Sequence, residues 1–145
     1  MTTFREFVEN RVVILRGISG AGKSTYIRKH FPKAIVVSAD HYFQRDGEYK
    51  FDATLLPKAH GSCLWRFQKA VCQHARLIVV DNTNTQVREL APYADFAKQH
   101  GYAVEVIRLK VDPEVAAARN IHGVPADIIQ QMQGRFEDYP GEKIV

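Results

Sequence analysis

The chain has 145 residues, of which 46% are hydrophobic and 25% are charged, and its formal net charge is +4. This length favours one domain that spans residues 1–145, with its core at about 12–139. No apolar run approaches the roughly 20 residues of a membrane span, and the polar N-terminus argues against a signal peptide. We therefore expect no membrane partner.

The cysteines and the net charge give a first indication of compartment and partner. Cys63 and Cys72 lack the spacing of metal ligands, which favours reduced thiols in a cytoplasmic protein, or a nuclear one in a eukaryote. The mildly basic charge permits an anionic partner such as a nucleotide or a nucleic acid. The sequence gives no indication of the oligomeric state.

Apolar runs alternate with helical patterns along the chain. Strands are predicted at residues 11–15, 34–37, 77–80 and 103–109. Helices are predicted at 23–30, 55–75, 87–100, 113–119 and 126–137, and a turn is predicted at 45–47. Strands with almost no polar interruption indicate a parallel sheet that is covered by helices on both faces.

The stretch GISGAGKS at residues 17–24 follows the first strand and matches G-x-x-x-x-G-K-[ST] at each fixed position. Its glycines let the backbone approach an anion, and the free amides and dipole of the following helix favour phosphate. Lys23 is predicted to reach the β- and γ-phosphates, and Ser24 is predicted to bind Mg²⁺. A purely structural glycine turn is the alternative, but a lysine and a serine at these offsets serve packing poorly.

This motif and the alternating pattern together predict an α/β P-loop NTPase fold with a parallel sheet of about four to five strands. The absence of an N/T-K-x-D guanine-reading motif favours ATP over GTP as the nucleotide triphosphate. The predicted ATP-binding residues are Gly17, Ile18, Ser19, Gly20, Ala21, Gly22, Lys23, Ser24, Thr25 and Arg119.

Two aspartates follow strands at the edge where parallel sheets bind ligands. Asp40 comes shortly after the second strand and is a candidate general base that takes a proton from an attacking hydroxyl, with a turn aspartate as the alternative. Asp81 ends the run LIVVD, which is typical of a Walker B strand, and it can hold Mg²⁺. It can also contact the acceptor, or simply end the strand.

Other polar residues at this edge complete the predicted site. Arg119 ends a short helix that precedes a glycine and a proline, a pattern that suggests a lid whose arginine neutralises the transferring phosphoryl group; a surface arginine is the alternative. Lys23, Asp40 and Arg119 are thus the predicted catalytic residues. The predicted acceptor-binding residues are His41, Arg45, Asp81, Asn82, Thr83 and Asn84.

These motifs resemble a known family. Polynucleotide 5′-hydroxyl kinases, which include the kinase half of phage polynucleotide kinase–phosphatase, carry similar motifs. In this chain the similar motifs are the P-loop at residues 17–24, Ser38-Ala39-Asp40, DNTN at 81–84 and Arg119-Asn120. DNTN, ARNIHGVP and the helix at 128–136 also resemble the kinase-like domain of a group of animal ubiquitin-ligase-binding proteins. The resemblance implies that Lys23 and Ser24 contact phosphate and metal, that Asp40 is the base and that Arg119 is the lid arginine.

One position departs from the polynucleotide kinases. They carry an arginine three residues after the base, where this chain has Phe43. Arg45, Lys50 and Lys58 are alternative basic contacts, or an exposed charged surface. The expected function is ATP- and Mg²⁺-dependent phosphorylation of a hydroxyl, preferably the 5′-hydroxyl of DNA or RNA. A small-molecule or nucleotide kinase, and an ATP-binding module without transfer, remain alternatives.

Overall fold

The computed structural model describes residues 9–45, 47–119 and 123–145, apart from the side chain of Arg45. Within these residues the strands are β1 Arg11–Arg16, β2 Ile35–Val37, β3 Gln44–Arg45, β4 Glu48–Tyr49, β5 Leu77–Asp81, β6 Ala103–Arg108 and β7 Lys143–Ile144. The helices are α1 Lys23–His30, α2 Leu56–Cys72, α3 Val87–Gln99, α4 Pro113–Arg119 and α5 Ala126–Gly134, with short 3₁₀ helices at Ala39–Phe43 and Ala53–Leu55.

Five strands form one parallel sheet in the order β2-β5-β1-β6-β7. β1 lies at the centre, and its residues 12–15 are wholly buried because both faces of the sheet are covered. The predicted α/β P-loop NTPase fold is thereby confirmed, with the sheet at the upper end of the expected strand number. Its fifth strand, β7, has only two residues and follows no periodic pattern in the sequence.

Helices cover both faces of the sheet. On one face α2 and α3 pack through Phe67 and Leu90 against the side chains of Val12 and Ile14. On the other face α1, α4 and α5 pack through the residues Ile27, Ala116 and Ile129. The apolar positions of α2 recur at three-to-four spacing and face this core: Ala59, Cys63, Phe67, Ala70 and Val71 are buried and Leu56 is partly buried.

The connection after β2 contains more structure than the sequence pattern predicts. A 3₁₀ helix carries Asp40, because the Ser38 hydroxyl accepts a hydrogen bond from the Asp40 amide at 3.1 Å and caps the turn. β3 and β4 then pair as an antiparallel hairpin around the turn predicted at 45–47. Asp46 of that turn lies outside the described residues. None of the helices among those that the structure describes has both the length and the apolar character needed to cross a bilayer.

Candidate active site

The loop between β1 and α1 adopts the conformation that its glycines permit. Gly20 and Gly22 have φ angles of 86° and 95°, in the region that other residues rarely enter. Gly22 is also the N-cap of α1, with no side-chain cap and no acidic residue in the first turn. The amides at the start of this helix are therefore oriented to bind an anion.

Lys23 is the first residue of α1, and its side chain turns back over the loop. The Lys23 ammonium donates to the carbonyl of Gly17 at 2.9 Å and to that of Ile18 at 3.3 Å. Burial lowers the pKa of this ammonium, and attraction to Asp81 and Asp40 partly offsets that effect. The structure thus brings the predicted phosphate-binding lysine and both predicted aspartates to one edge of the sheet.

Asp40 is held in position by its neighbours in the 3₁₀ helix and the hairpin. The Tyr49 hydroxyl donates to Asp40 Oδ1 at 3.1 Å. Burial, the charge of Asp40 and this hydrogen bond all raise the pKa of the Tyr49 phenol, which keeps its proton available for donation. This hydrogen bond helps to orient the Asp40 carboxylate at the end of β2.

The polar residues after β5 mainly connect the strand ends. Asn82 is buried, and its side-chain oxygen accepts from the Ala39 amide at 2.9 Å, so it fixes the turn that carries Asp40. The buried Asn84 amide donates to the Leu15 carbonyl at 2.8 Å. The Thr83 carbonyl accepts from the amide of Gly17 at 3.1 Å. Through these hydrogen bonds Asn82, Thr83 and Asn84, three of the six predicted acceptor-binding residues, support the loops of the site.

Arg66 is a residue of this site that the sequence patterns did not indicate. Its Nη2 donates to the Ser38 carbonyl at 2.9 Å, and its Nη1 lies 3.2 Å from His41 Nδ1. Arginine has no acceptor, so Nδ1 must accept and Nε2 carries the imidazole proton. Burial and the charge of Arg66 lower the pKa of His41, against the opposite effect of Asp81 and Asp40. The contact joins residues 25 positions apart, so a local pattern could not reveal it.

Arg119 lies at the end of α4, over the P-loop. A Cβ built on Gly22 would stand 3.9 Å from Arg119 Nη1, which places the guanidinium beside the loop. α4 reaches this position because Ala116 is fully buried against the loop at Gly20. The structure therefore brings together the predicted lid arginine and the predicted phosphate cradle. Asn120 of the ARN motif lies outside the described residues.

The remaining predicted residues of the loop divide into two groups. Ile18 and Ala21 are buried and anchor the loop in the core. The Ser19 hydroxyl contacts the sulfur of Met132 on α5 at 3.9 Å, while Ser24 and Thr25 are exposed at the start of α1. The side chain of Arg45, a predicted acceptor contact, lies outside the described part of the chain.

Comparisons with known proteins agree with this geometry. The AAA domain family AAA_33 matches residues 12–138. Human NEDD4-binding protein 2 is 33% identical over 141 residues, which covers 92% of this chain and 8% of that protein. This chain therefore spans less than a tenth of that relative.

Solved structures show the same fold. A chain from the Pnkp1/Rnl/Hen1 RNA repair complex has a TM-score of 0.69 at 15% identity, over 93% of this chain and 46% of that one. The Mycobacterium tuberculosis APS kinase CysC, solved with AMPPNP and APS, has a TM-score of 0.56 at 16% identity, over 92% of this chain and 80% of that one. The fold is that of P-loop kinases.

Proposed function

Because this chain belongs to the AAA domain family AAA_33 and has the fold of P-loop kinases, we propose that it phosphorylates a polynucleotide 5′-hydroxyl with ATP and Mg²⁺. The observation that carries the proposal is the arrangement of three strand ends: Asp81 pairs in register with Leu15 just before the P-loop, and Asn82 holds the turn that carries Asp40. It puts a candidate base, a candidate metal ligand and a phosphate-binding lysine at one edge of the sheet. The similarity to a chain of an RNA repair complex supports a nucleic-acid acceptor, and the similarity to APS kinase supports the small-molecule alternative.

The residues present fit a magnesium–ATP substrate. The positive φ angles at Gly20 and Gly22 and the uncapped start of α1 form a cradle for phosphate oxygens. Ser24 and Asp81 are the groups that would hold Mg²⁺, which would neutralise charge on the phosphates. AMPPNP in the APS kinase of the same fold supports a nucleotide of the ATP type.

The proposed reaction needs one proton acceptor and two cations from this chain. Asp40 takes the proton of the acceptor hydroxyl while the hydroxyl oxygen forms a bond to the γ-phosphorus of ATP. The bond from that phosphorus to the bridging oxygen breaks, and ADP leaves. Lys23 and Arg119 stabilise the negative charge on the transferring group from the loop side and the α4 side.

The test is transfer of labelled γ-phosphate from ATP to a 5′-hydroxyl oligonucleotide with Mg²⁺, using the wild type and Asp40→Asn. Loss of the base should lower kcat by about 10²- to 10⁴-fold. The dissociation constant for ATP should change little, since Asp40 is not among the predicted ATP-binding residues. Asp95→Asn is the matched control because it makes the same chemical change on the exposed surface of α3, and it should retain full activity.

Three other results would count against the proposal. Transfer by Asp40→Asn at the wild-type rate would exclude Asp40 as the base. ATP binding by the wild type without labelled oligonucleotide, but with transfer to a small alcohol, sugar or nucleotide, would replace the polynucleotide acceptor. ATP binding without transfer to any acceptor would indicate a nucleotide-binding module.

A further inference from the structure

We propose that Arg66 binds the phosphodiester of the acceptor that adjoins the 5′-terminal nucleoside, next to the hydroxyl that Asp40 deprotonates. The inference rests on the proposed function and names a substrate contact within it. Arg66 lies on α2, outside the motifs that define the loop and the strand ends. Its place in the site follows from its contacts alone.

The guanidinium of Arg66 lies on the same turn as the proposed base. It contacts the Ser38 carbonyl and the His41 imidazole, and these residues are two positions before and one position after Asp40. The Ser38 contact, at 2.9 Å, fixes the group at the end of β2. The position of the guanidinium beside the turn that carries Asp40 is therefore set before any substrate binds. This reduces the entropic cost of a substrate contact.

Arg66 retains the capacity for a phosphate contact. A guanidinium has five N–H donors, and the hydrogen bonds to described residues account for two of them. Among the described side chains, no carboxylate forms a salt bridge with it. Phosphate oxygens match the fork of guanidinium donors, and charge-assisted hydrogen bonds of this kind are about twice as strong as neutral ones.

The charges around Asp40 give a reason for a cation at this position. Asp40 and Asp81 both act on His41, so an anionic acceptor that approaches the base meets two negative groups. Arg66 acts on His41 in the opposite direction, and it contacts the residues on either side of Asp40 in the turn. Lys23 and Arg119 lie at the P-loop, where they serve the phosphates of the donor. Arg66 would offset the repulsion between an anionic acceptor and the carboxylates of Asp40 and Asp81.

The alternative is that Arg66 only supports the turn after β2 through the Ser38 carbonyl. Loss of such a support would weaken binding of charged and neutral acceptors equally. Loss of a phosphate contact would weaken binding of the charged acceptor alone. The ratio of the two affinities, measured on the same protein sample, therefore distinguishes the two roles.

The experiment measures binding to protein that is loaded with a non-hydrolysable ATP analogue. The probes are a 5′-hydroxyl dinucleotide with a natural phosphodiester and the same dinucleotide with a neutral methylphosphonate linkage. The wild type should bind the phosphodiester about 10-fold or more tightly than the methylphosphonate, as expected for a charge-assisted hydrogen bond. Arg66→Gln should bind both equally, and Arg66→Lys should retain part of the preference.

Lys69→Gln is the matched control. It removes one positive charge from an exposed site one turn further along α2, so it should keep the wild-type ratio. Equal binding of both probes by the wild type, or a ratio that persists in Arg66→Gln, would overturn the inference. Failure of the wild type to bind either probe would overturn it as well. The readout needs no phosphoryl transfer, so the proposed kinase activity can fail while the contact is upheld.

Discussion

Lys23 is the residue at which the proposed function and the stability of the folded protein conflict most directly. Burial lowers the pKa of its ammonium below the ordinary 10.5, despite attraction to Asp81 and Asp40. The charged form is thus less favourable in the folded protein than in the unfolded chain at neutral pH. A partly buried cation at this place is explained if a phosphate compensates for the lost water, as the proposed function requires.

Lys23→Met should therefore stabilise the protein in the absence of nucleotide while removing ATP binding. The melting temperature at pH 7 should rise by about 2–4 °C for each kcal/mol of relieved charge burial. The gain should shrink as the pH rises towards 10.5, because the folded wild type loses its proton before the unfolded chain does. Lys29→Met, on the exposed surface of α1, is the control and should change little. A lower melting temperature for Lys23→Met would contradict the argument.

At the scale of elements, the packing of α4 on the P-loop depends on one glycine. A Cβ on Gly20 would overlap the carbonyl oxygen of Ala116 and lie 2.7 Å from its carbonyl carbon. The φ angle of 86° adds strain for any other residue. Gly20 thus serves the packing of α4 in addition to its proposed role in phosphate binding.

Gly20→Ala should destabilise the protein by at least about 2 kcal/mol, because backbone atoms cannot yield as a flexible side chain can. Gly61→Ala makes the same change within α2, where nothing lies within 4 Å of the new Cβ. That control should stabilise the protein by about 0.5–1 kcal/mol through helix propensity. Urea unfolding of both variants measures the difference. Equal urea midpoints for Gly20→Ala and Gly61→Ala would show that α4 does not pack against the P-loop at Gly20.

The sequence predicts elements where a local pattern exists. An apolar run predicts β1, a motif predicts the ATP-binding loop, and a helix stop predicts the end of α1. The apolar positions of α2 recur at three-to-four spacing, which accounts for its buried face. β7 has two exposed residues and joins the sheet through β6, so its formation depends on a distant partner. Arg66 likewise enters the site through a contact between separate elements. Such long-range contacts carry no local signal.

At the scale of the whole molecule, a buried ion pair joins the C-terminal segment to the strand that precedes the P-loop. Arg16 is wholly buried, and its Nη1 donates to Glu142 Oε1 at 2.7 Å. Other donors of Arg16 reach the carbonyls of Asn84 at 2.9 Å, Thr85 at 3.1 Å and Glu137 at 2.6 Å. One side chain therefore holds the end of β1, the loop after β5 and the C-terminal segment together.

Glu142→Gln should lower the free energy of unfolding by about 3–5 kcal/mol, because it leaves the buried Arg16 guanidinium without its counter-charge. Glu105→Gln is the matched control: its partner Arg11 and its own side chain are 48% and 42% exposed, and loss of this pair should cost about 0.2–1 kcal/mol. Urea unfolding in low and high salt separates the two, since salt screens the exposed pair and hardly affects the buried one. A small, salt-dependent loss of unfolding free energy in Glu142→Gln would mean that the Arg16–Glu142 ion pair is accessible to water. The C-terminal segment would then detach without disturbing the P-loop. A large loss of unfolding free energy would instead make this segment part of the support of the candidate active site.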